Sequence, residues 1–477
     1  MLIIKFINKI IIQKKIFIYN FIHKLIKINY FYNNILKYYF NYRKMESNEP
    51  KTEKTEKKDS KNKKSKKEQN KETKKSENIT KEIKKSQPNI YKYDENSQID
   101  YSIALKNYNL KNIDLENNFL KSQSKMIQNL LNRKLIFAER NLEKINENFF
   151  ILYELLLSEN TSLCLTEILV LNIIKNIMQS NQKVHLIIQI ADDEFLMEST
   201  GKFSYKQIKI FSEEKVQNVL SILFDSETKE FMKKNIHIFS NYSFRTFSNN
   251  FESLVSDFKM QILYKKVVEL FNITEEDSIS KLDYPCYIAM ASNPKIYSSL
   301  ISDINENSTC LIINSVCFMN RYMLCYEASK FNNFNEPVLI ALKLVNNLTG
   351  CNGYDCYFES NKELMLLLED NEKILRKKIM KHSLSGARGS GSLEDHKKLG
   401  GNVEVDISCQ YLKFFEEDED KLNGFVEKFA KGELSCGEIK QILFEKLNEM
   451  FIKIRDNKDK NVNKDLIESF RFEKEKN

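Results

Sequence analysis

Tryptophan is absent from this 477-residue chain, and glycine, proline and histidine are scarce, at 11, 5 and 5 residues. A chain with so few backbone punctuators reads mostly as helix and strand. Five histidines and nine scattered cysteines leave little from which to build a zinc site. The nearest approach, Cys351-Asn-Gly-Tyr-Asp-Cys356, lacks a second Cys or His pair at ligand spacing, so no structural metal is expected. An odd cysteine count without a clear signal peptide points to free thiols in a reducing compartment, which suggests a cytoplasmic protein. Long apolar runs are missing too. Even in residues 1–44, rich in Ile, Lys, Asn, Phe and Tyr, lysines interrupt every stretch short of the roughly 20 residues that span a bilayer, so no membrane partner is expected.

What is present is a 42% hydrophobic composition, enough for two or three domains with sizeable cores, and an uneven charge of +8. The positive excess lies in the first 90 residues, which suits either an anionic partner such as nucleic acid or a solvated lysine tail. Residues 1–44 contain no acidic residue. They read as a leader written in A/T-rich codons, with a targeting peptide or an interfacial amphipathic segment as alternatives. From Met45 the text changes to MESNEPKTEKTEKKDSKNKKSKKEQNKETKKSEN, and 45–98 is expected to be disordered because it has too little apolar surface to offset chain entropy.

Order is expected over 99–379 as an α/β unit. Apolar runs at 148–157, 183–193, 234–241 and 309–317 read as strands buried on both faces, and such strands form parallel sheets. Stretches 166–179, 205–224 and 251–271 have helical spacing and serve as crossovers, and 119–147 also reads as helix. Over 380–477 no strand pattern remains, which implies a separate all-α unit. His185 and His237 lie inside apolar strand runs and read as structural. The acidic run Asp192-Asp193-Glu194 ends a strand; it reads as a loop entry, with a metal-binding carboxylate cluster as the lesser possibility.

Five of the eleven glycines fall in KHSLSGARGSGSLEDHKKLGGNVEVDISCQYLKFF, residues 381–415. The stretch lacks the Lys-Ser/Thr of a phosphate loop and no strand leads into it. On its residues alone it is a surface loop opening onto helices, with Arg388, Lys397 and Lys398 able to meet an anion. Its pattern carries more: Lys-His-x-x-Ser-Gly, then Glu-x-His, Gly-Gly-Asn-x-x-Val-Asp, Tyr-Leu-x-Phe-Phe-x-Glu-Asp and Gly-Glu-x-Lys. This resembles the C-terminal segment of eukaryotic and archaeal tryptophanyl-tRNA synthetases, and VHLIIQIADDEFLM resembles that family's strand ending in Gln-x-x-Asp-Asp-Glu. The resemblance implies a class I, Rossmann-like catalytic domain followed by a helical anticodon-binding domain. It also implies ATP with Mg2+ as requirements of any activity, tryptophan and tRNA as partners, and a homodimer.

The departures are as informative. The family's His-x-Gly-His turn, which holds the ATP phosphates at a helix N-terminus, falls on Cys164-Leu165-Thr166-Glu167. Its Thr-Gly-Arg-Gly-Pro falls on Glu154 to Ser158, without the glycines. Its Lys-Met-Ser-Ala-Ser falls on Cys356-Tyr357-Phe358-Glu359-Ser360, with Lys362 the closest lysine in sequence. Neither ATP motif occurs elsewhere in the chain. Of the residues that hold tryptophan in the family, Tyr153, Gln189 and Glu194 match, whereas two later glutamines fall near Ile288 and Val316. Two functions follow: a diverged tryptophan–tRNA ligase, or a catalytically silent relative that binds tRNA or acts as a dimer partner.

Overall fold

The computed structural model describes residues 100–471, apart from 146, 200, 225–227, 275, 276, 278 and 351–354. The leader and lysine-rich tail read from the sequence, and Cys351 of the weak zinc pattern, lie outside the described residues.

Seven strands form one sheet: β1 (Lys111–Asn112), β2 (Ile136–Arg140), β3 (Phe149–Leu155), β4 (His185–Ile190), β5 (Ile236–Ser240), β6 (Thr309–Ser315) and β7 (Val338–Leu342), in the order β1-β2-β7-β6-β3-β4-β5. The five from β7 to β5 are parallel, and β2 is antiparallel to both its neighbours, so the sheet is mixed rather than wholly parallel. The four apolar runs expected as strands are β3, β4, β5 and β6. The helix expected over 119–147 stops at Asn132. Lys134 takes a positive φ of 56°, and IFAER then leaves the helix to pair with β7 as β2.

Side chains alternate across a strand. From β3, Ile151, Tyr153 and Leu155 enter the core on one side, against α1 (Leu165–Ser180), while Phe150 and Leu152 enter the core on the other. After β4 come α2 (Asp192–Glu198) and α3 (Tyr205–Leu223). The helix expected over 251–271 is two, Asn249–Gln261 and Tyr264–Phe271; the first packs with Tyr284–Ala291 and Met323–Asn332 on the face opposite α1.

Every element from residue 372 is helical: α4 (Glu372–His382), α5 (Leu393–Leu399), α6 (Ile407–Phe415), α7 (Glu419–Ala430), α8 (Cys436–Asn461) and α9 (Lys464–Ser469). Apart from α5, their apolar faces join the core on the α1 side. The 26-residue α8 begins with a Ser435/Glu438 capping box and reaches back to α3, where Asn457 Nδ2 donates to the Ser221 carbonyl at 2.6 Å. Ile238 of β5 donates its N–H to the Phe470 carbonyl at 2.9 Å, so the end of the described chain covers that sheet edge.

The glycine-rich segment is only partly a surface loop. Gly389 and Gly391 are exposed, but Gly386, Gly400 and Gly401 are buried. A Cβ on Gly400, which has φ +70°, would lie 1.8 Å from the Ala430 carbonyl oxygen, and one on Gly401 would strike the Phe429 ring. The backbone freedom concentrated there lets α5 and α7 approach at backbone distance.

His185 and His237 lie on adjacent strands with His185 Nδ1 and His237 Nε2 2.9 Å apart, and His185 Nε2 is 3.4 Å from Asp303. One proton can sit between the rings. Burial first, then His185, pushes His237 down to about 3, and burial also lowers His185 against the pull of Asp303. Between about pH 6.5 and 3 the unfolded chain therefore binds protons that the folded chain refuses. Stability should be unaffected by His237 above pH 6.5 and decline as pH falls below it. Urea denaturation across pH checks this; His237→Phe should flatten the acid limb, and an unchanged limb counts against the assignment.

Candidate active site

β3 is the strand at which the sheet order reverses: its chain successor β4 lies on one side and β6 on the other. In open α/β sheets the crevice beyond the carboxyl ends of the strands at such a point is where ligands bind. Here a cavity opens with about 280 Å3 of empty space, part of it continuous with solvent. Tyr153, Glu154, Thr166, Glu167, Asn314 and Tyr357 are among its lining residues. Only about 20 Å3 of it is open to the centre of a water molecule, room for a water and not for a substrate.

One end of the crevice is the N-terminus of α1, the turn Cys164-Leu165-Thr166-Glu167. A helix N-terminus attracts anions because its first N–H groups are unpaired. The anion here is internal. Glu167 turns back and accepts from the Cys164 N–H at 3.0 Å, and its other oxygen lies 2.8 Å from Lys215 Nζ, reaching over from α3. Both side chains are under a tenth exposed. Beside them, Asp355, fully buried, caps the short turn Cys356–Phe358 by accepting from the Tyr357 N–H at 3.1 Å. It also accepts from the Ser315 hydroxyl at 2.7 Å and from the Thr166 hydroxyl. Because Thr166 spends its proton on Asp355, the Cys356 thiol, 3.3 Å away, is the donor to Thr166. Burial pushes Asp355 up and these bonds pull it back. The turn and the 356–360 segment, both singled out in the sequence, are thus joined directly by side-chain hydrogen bonds. Glu359 accepts from Asn347 at 2.5 Å, Ser360 is exposed, and Lys362 is exposed away from these contacts.

The other end is a buried charge cluster. Arg321, in the 3-10 turn Val316–Tyr322 after β6, donates through Nε and Nη2 to Glu154 at 3.0 and 2.7 Å, and through Nη1 and Nη2 to Glu194 at 3.0 and 2.5 Å. Exposure is 13% for the arginine side chain and 1% and 9% for the two carboxylates. Burial, its largest influence, pushes Glu194 up to about 8, while Arg321 pulls it down. Two carboxylates against one guanidinium leave a charge that a proton on one carboxyl cancels.

The three residues matched to a tryptophan site are placed differently. Tyr153 faces the α1 side of the sheet and lines the cavity. Gln189, fully buried, faces the other side, where its amide donates to Asn241 at 2.9 Å and its carbonyl oxygen has no partner. Glu194 is taken by Arg321. Ile288 and Val316 are core residues. Asp192 accepts from Ser240 and Tyr242, Asp193 from Asn241 and Arg245, so the acidic run diverges to separate partners. Among the described residues no three His, Cys, Asp or Glu side chains converge as a metal site. Arg388 donates to the Leu399 carbonyl at 3.2 Å, and Lys397 and Lys398 are exposed on α5. Sequence reasoning missed Arg321, Lys215 and Asp355. Glu154 near the end of β3 and Glu194 just beyond β4 are acidic residues beside apolar runs, a signal that could have pointed to a buried cation but not to which one.

The Glu167–Lys215 pair yields a stability prediction. Lys215→Met leaves the Glu167 carboxylate buried and unpaired, which should cost about 3–5 kcal/mol in urea denaturation. Glu167→Gln combined with Lys215→Met should recover most of that, since a glutamine oxygen still accepts from Cys164 N–H. Additive losses would show that the pair is not coupled.

Comparison with known proteins places this geometry in a lineage. No protein-family model matches the chain. It is 25% identical over 380 residues to the cytoplasmic tryptophan–tRNA ligase of Saccharomyces cerevisiae, covering 78% of this chain and 84% of that protein. It is 27% identical over 364 residues to the cytoplasmic enzyme of Arabidopsis thaliana, covering 75% and 86%. The crystal structure of Plasmodium falciparum tryptophanyl-tRNA synthetase has the same fold, with a TM-score of 0.67 at 22% identity over 78% of this chain and 97% of that one. With the C-terminal motifs and the mixed seven-stranded sheet followed by helices, these findings identify the chain as a strongly diverged relative of the eukaryotic and archaeal tryptophan–tRNA ligases.

Proposed function

We propose that this protein is a catalytically silent synthetase relative that binds tRNA and does not activate tryptophan. The observation that carries the reading is the Glu167 carboxylate at the N-terminus of α1, neutralised by Lys215. On the family resemblance that is where ATP phosphates would lie. The residues present do not fit a triphosphate with Mg2+: Cys164 and Thr166 bring no charge, Glu167 brings the wrong one, and the 356–360 segment has no lysine. Losing one donor to a developing anion typically costs about 100- to 1000-fold in rate, and here several are gone.

The tRNA part rests on the C-terminal helices, where the resemblance is densest. Exposed Lys397, Lys398 and Lys431 share a corner, because Gly432 lets the turn after α7 pack on the backbone at His396 and Lys397. A cytoplasmic location and a homodimer belong to the same proposal. The second reading, a working ligase that uses ATP and Mg2+, is favoured by the cytoplasmic ligases that match over three quarters of the chain; it requires Glu167 to leave the helix terminus.

Purified protein should give tryptophan-dependent ATP–pyrophosphate exchange no higher than background, and a clear rate overturns the silent reading. In filter binding, tRNA affinity should fall steeply with salt, because phosphate contacts release counterions, and should weaken in Lys397→Glu/Lys398→Glu. Salt-insensitive or unchanged binding removes the RNA role from this corner.

A further inference from the structure

The resemblance counts Glu194 among the residues that hold tryptophan, yet in this chain Glu194 and Glu154 together grip the guanidinium of Arg321. Three of its nitrogens donate to carboxylate oxygens at 2.5–3.0 Å. Glu154 forms a two-point fork with Nε and Nη2, and Glu194 forms another with Nη1 and Nη2. Paired parallel bonds of this kind are the arrangement by which carboxylates recognise a guanidinium. The carboxylates come from fixed elements, Glu154 from β3 and Glu194 from the first turn of α2. The cation comes from the seven-residue turn Val316–Tyr322. Glu154 also lines the cavity, and the Arg321 side chain is 13% exposed, so solvent meets the cluster at the arginine.

We propose that Glu154 and Glu194 form a cation subsite at the carboxyl end of the sheet, selective for guanidinium or primary ammonium groups, which Arg321 fills from within the chain. Arg321 is thus an autoinhibitory contact: it occupies the subsite that an amino-acid ammonium would need. This rests on the reading of the crevice as closed to substrate, and the two can fail separately, since pyrophosphate exchange interrogates the α1 end and the following test the Arg321 end.

The test is chemical rescue of the full-length chain. Arg321→Ala removes the occupant and leaves two buried carboxylates, so its Tm should fall. Guanidinium chloride or ethylguanidinium at low millimolar concentration should restore the Tm saturably, as ligand linkage requires, while sodium and tetramethylammonium chloride at matched ionic strength should not. Wild type should show no such rise. Should Arg321→Ala fail to fold, Glu154→Gln/Arg321→Ala retains one carboxylate and should respond to the same cations with a smaller rise. Glu154→Gln/Glu194→Gln/Arg321→Met, in which the subsite is neutral, should fold and not respond. Absence of rescue in the folded carboxylate-bearing variant, or an equal response from tetramethylammonium or from the neutral triple variant, overturns the proposal.

Discussion

The structure hangs from β3. It is hydrogen-bonded along both edges, to β4 and to β6, and buries side chains on both faces at all seven positions. A strand so placed has no solvent-facing side, so it must be apolar throughout until its chain emerges at the carboxyl end. That is where the first charged residue of the run, Glu154, appears, and where the sheet order reverses. The crevice follows from the topology whatever the sequence around it. What the sequence decides is which groups fill it.

This chain fills it with charges of its own. An anion sits on the helix terminus and a cation sits between the two carboxylates, each taken from a different element. Buried ion pairs of this sort contribute little net stability, because desolvation cancels most of the attraction, yet losing one partner is expensive. The two pairs therefore act as constraints more than as glue. Each holds α1, α2 or the turn after β6 to a position fixed by a strand or by α3. Asp355 extends the same logic: with acceptor bonds to Thr166, Ser315 and Tyr357, it ties α1, β6 and the 355–358 turn into one polar knot inside an apolar surround.

Much of the fold was legible because buried parallel strands announce themselves as unbroken apolar runs; β3 through β6 did. β7, only VLIAL, is too short to separate from its surroundings, and β2 follows a helix so closely that its apolar residues continue the helical spacing. Only the positive φ at Lys134 divides them, and nothing in a lysine foretells it. The glycine cluster was conspicuous, but whether its members turn or let backbones touch depends on α7, distant in sequence. The same limit applies at the crevice. Cys164–Glu167 and 356–360 could be named from sequence, as could the absence of His-x-Gly-His and Lys-Met-Ser-x-Ser from the chain. That Thr166 and Cys356 bond to each other could not, nor could the 167-residue separation between Arg321 and Glu154 be bridged without coordinates.

On the silent reading proposed above, this crevice is a binding site that no longer meets its ligand, and its physical problem goes beyond lost contacts. Its carboxylates, helix terminus and hydroxyls were placed to be satisfied by something else, and left bare they cost about 1–3 kcal/mol each, more where charged. Replacing the ligand's charges with internal ones relieves that cost without rebuilding the sheet. On that reading Glu167 for an anion and Arg321 for a cation are two instances of one solution, set against a ligand at both ends. Gln189 marks where the solution is incomplete: its carbonyl oxygen is fully buried and still unpaired, on the far side of the sheet from Tyr153. On the silent reading that oxygen has no ligand to meet. The Gln189 amide is committed to Asn241 and through it to Asp193 and Arg245, a network that serves packing between α2 and the helices beneath the sheet.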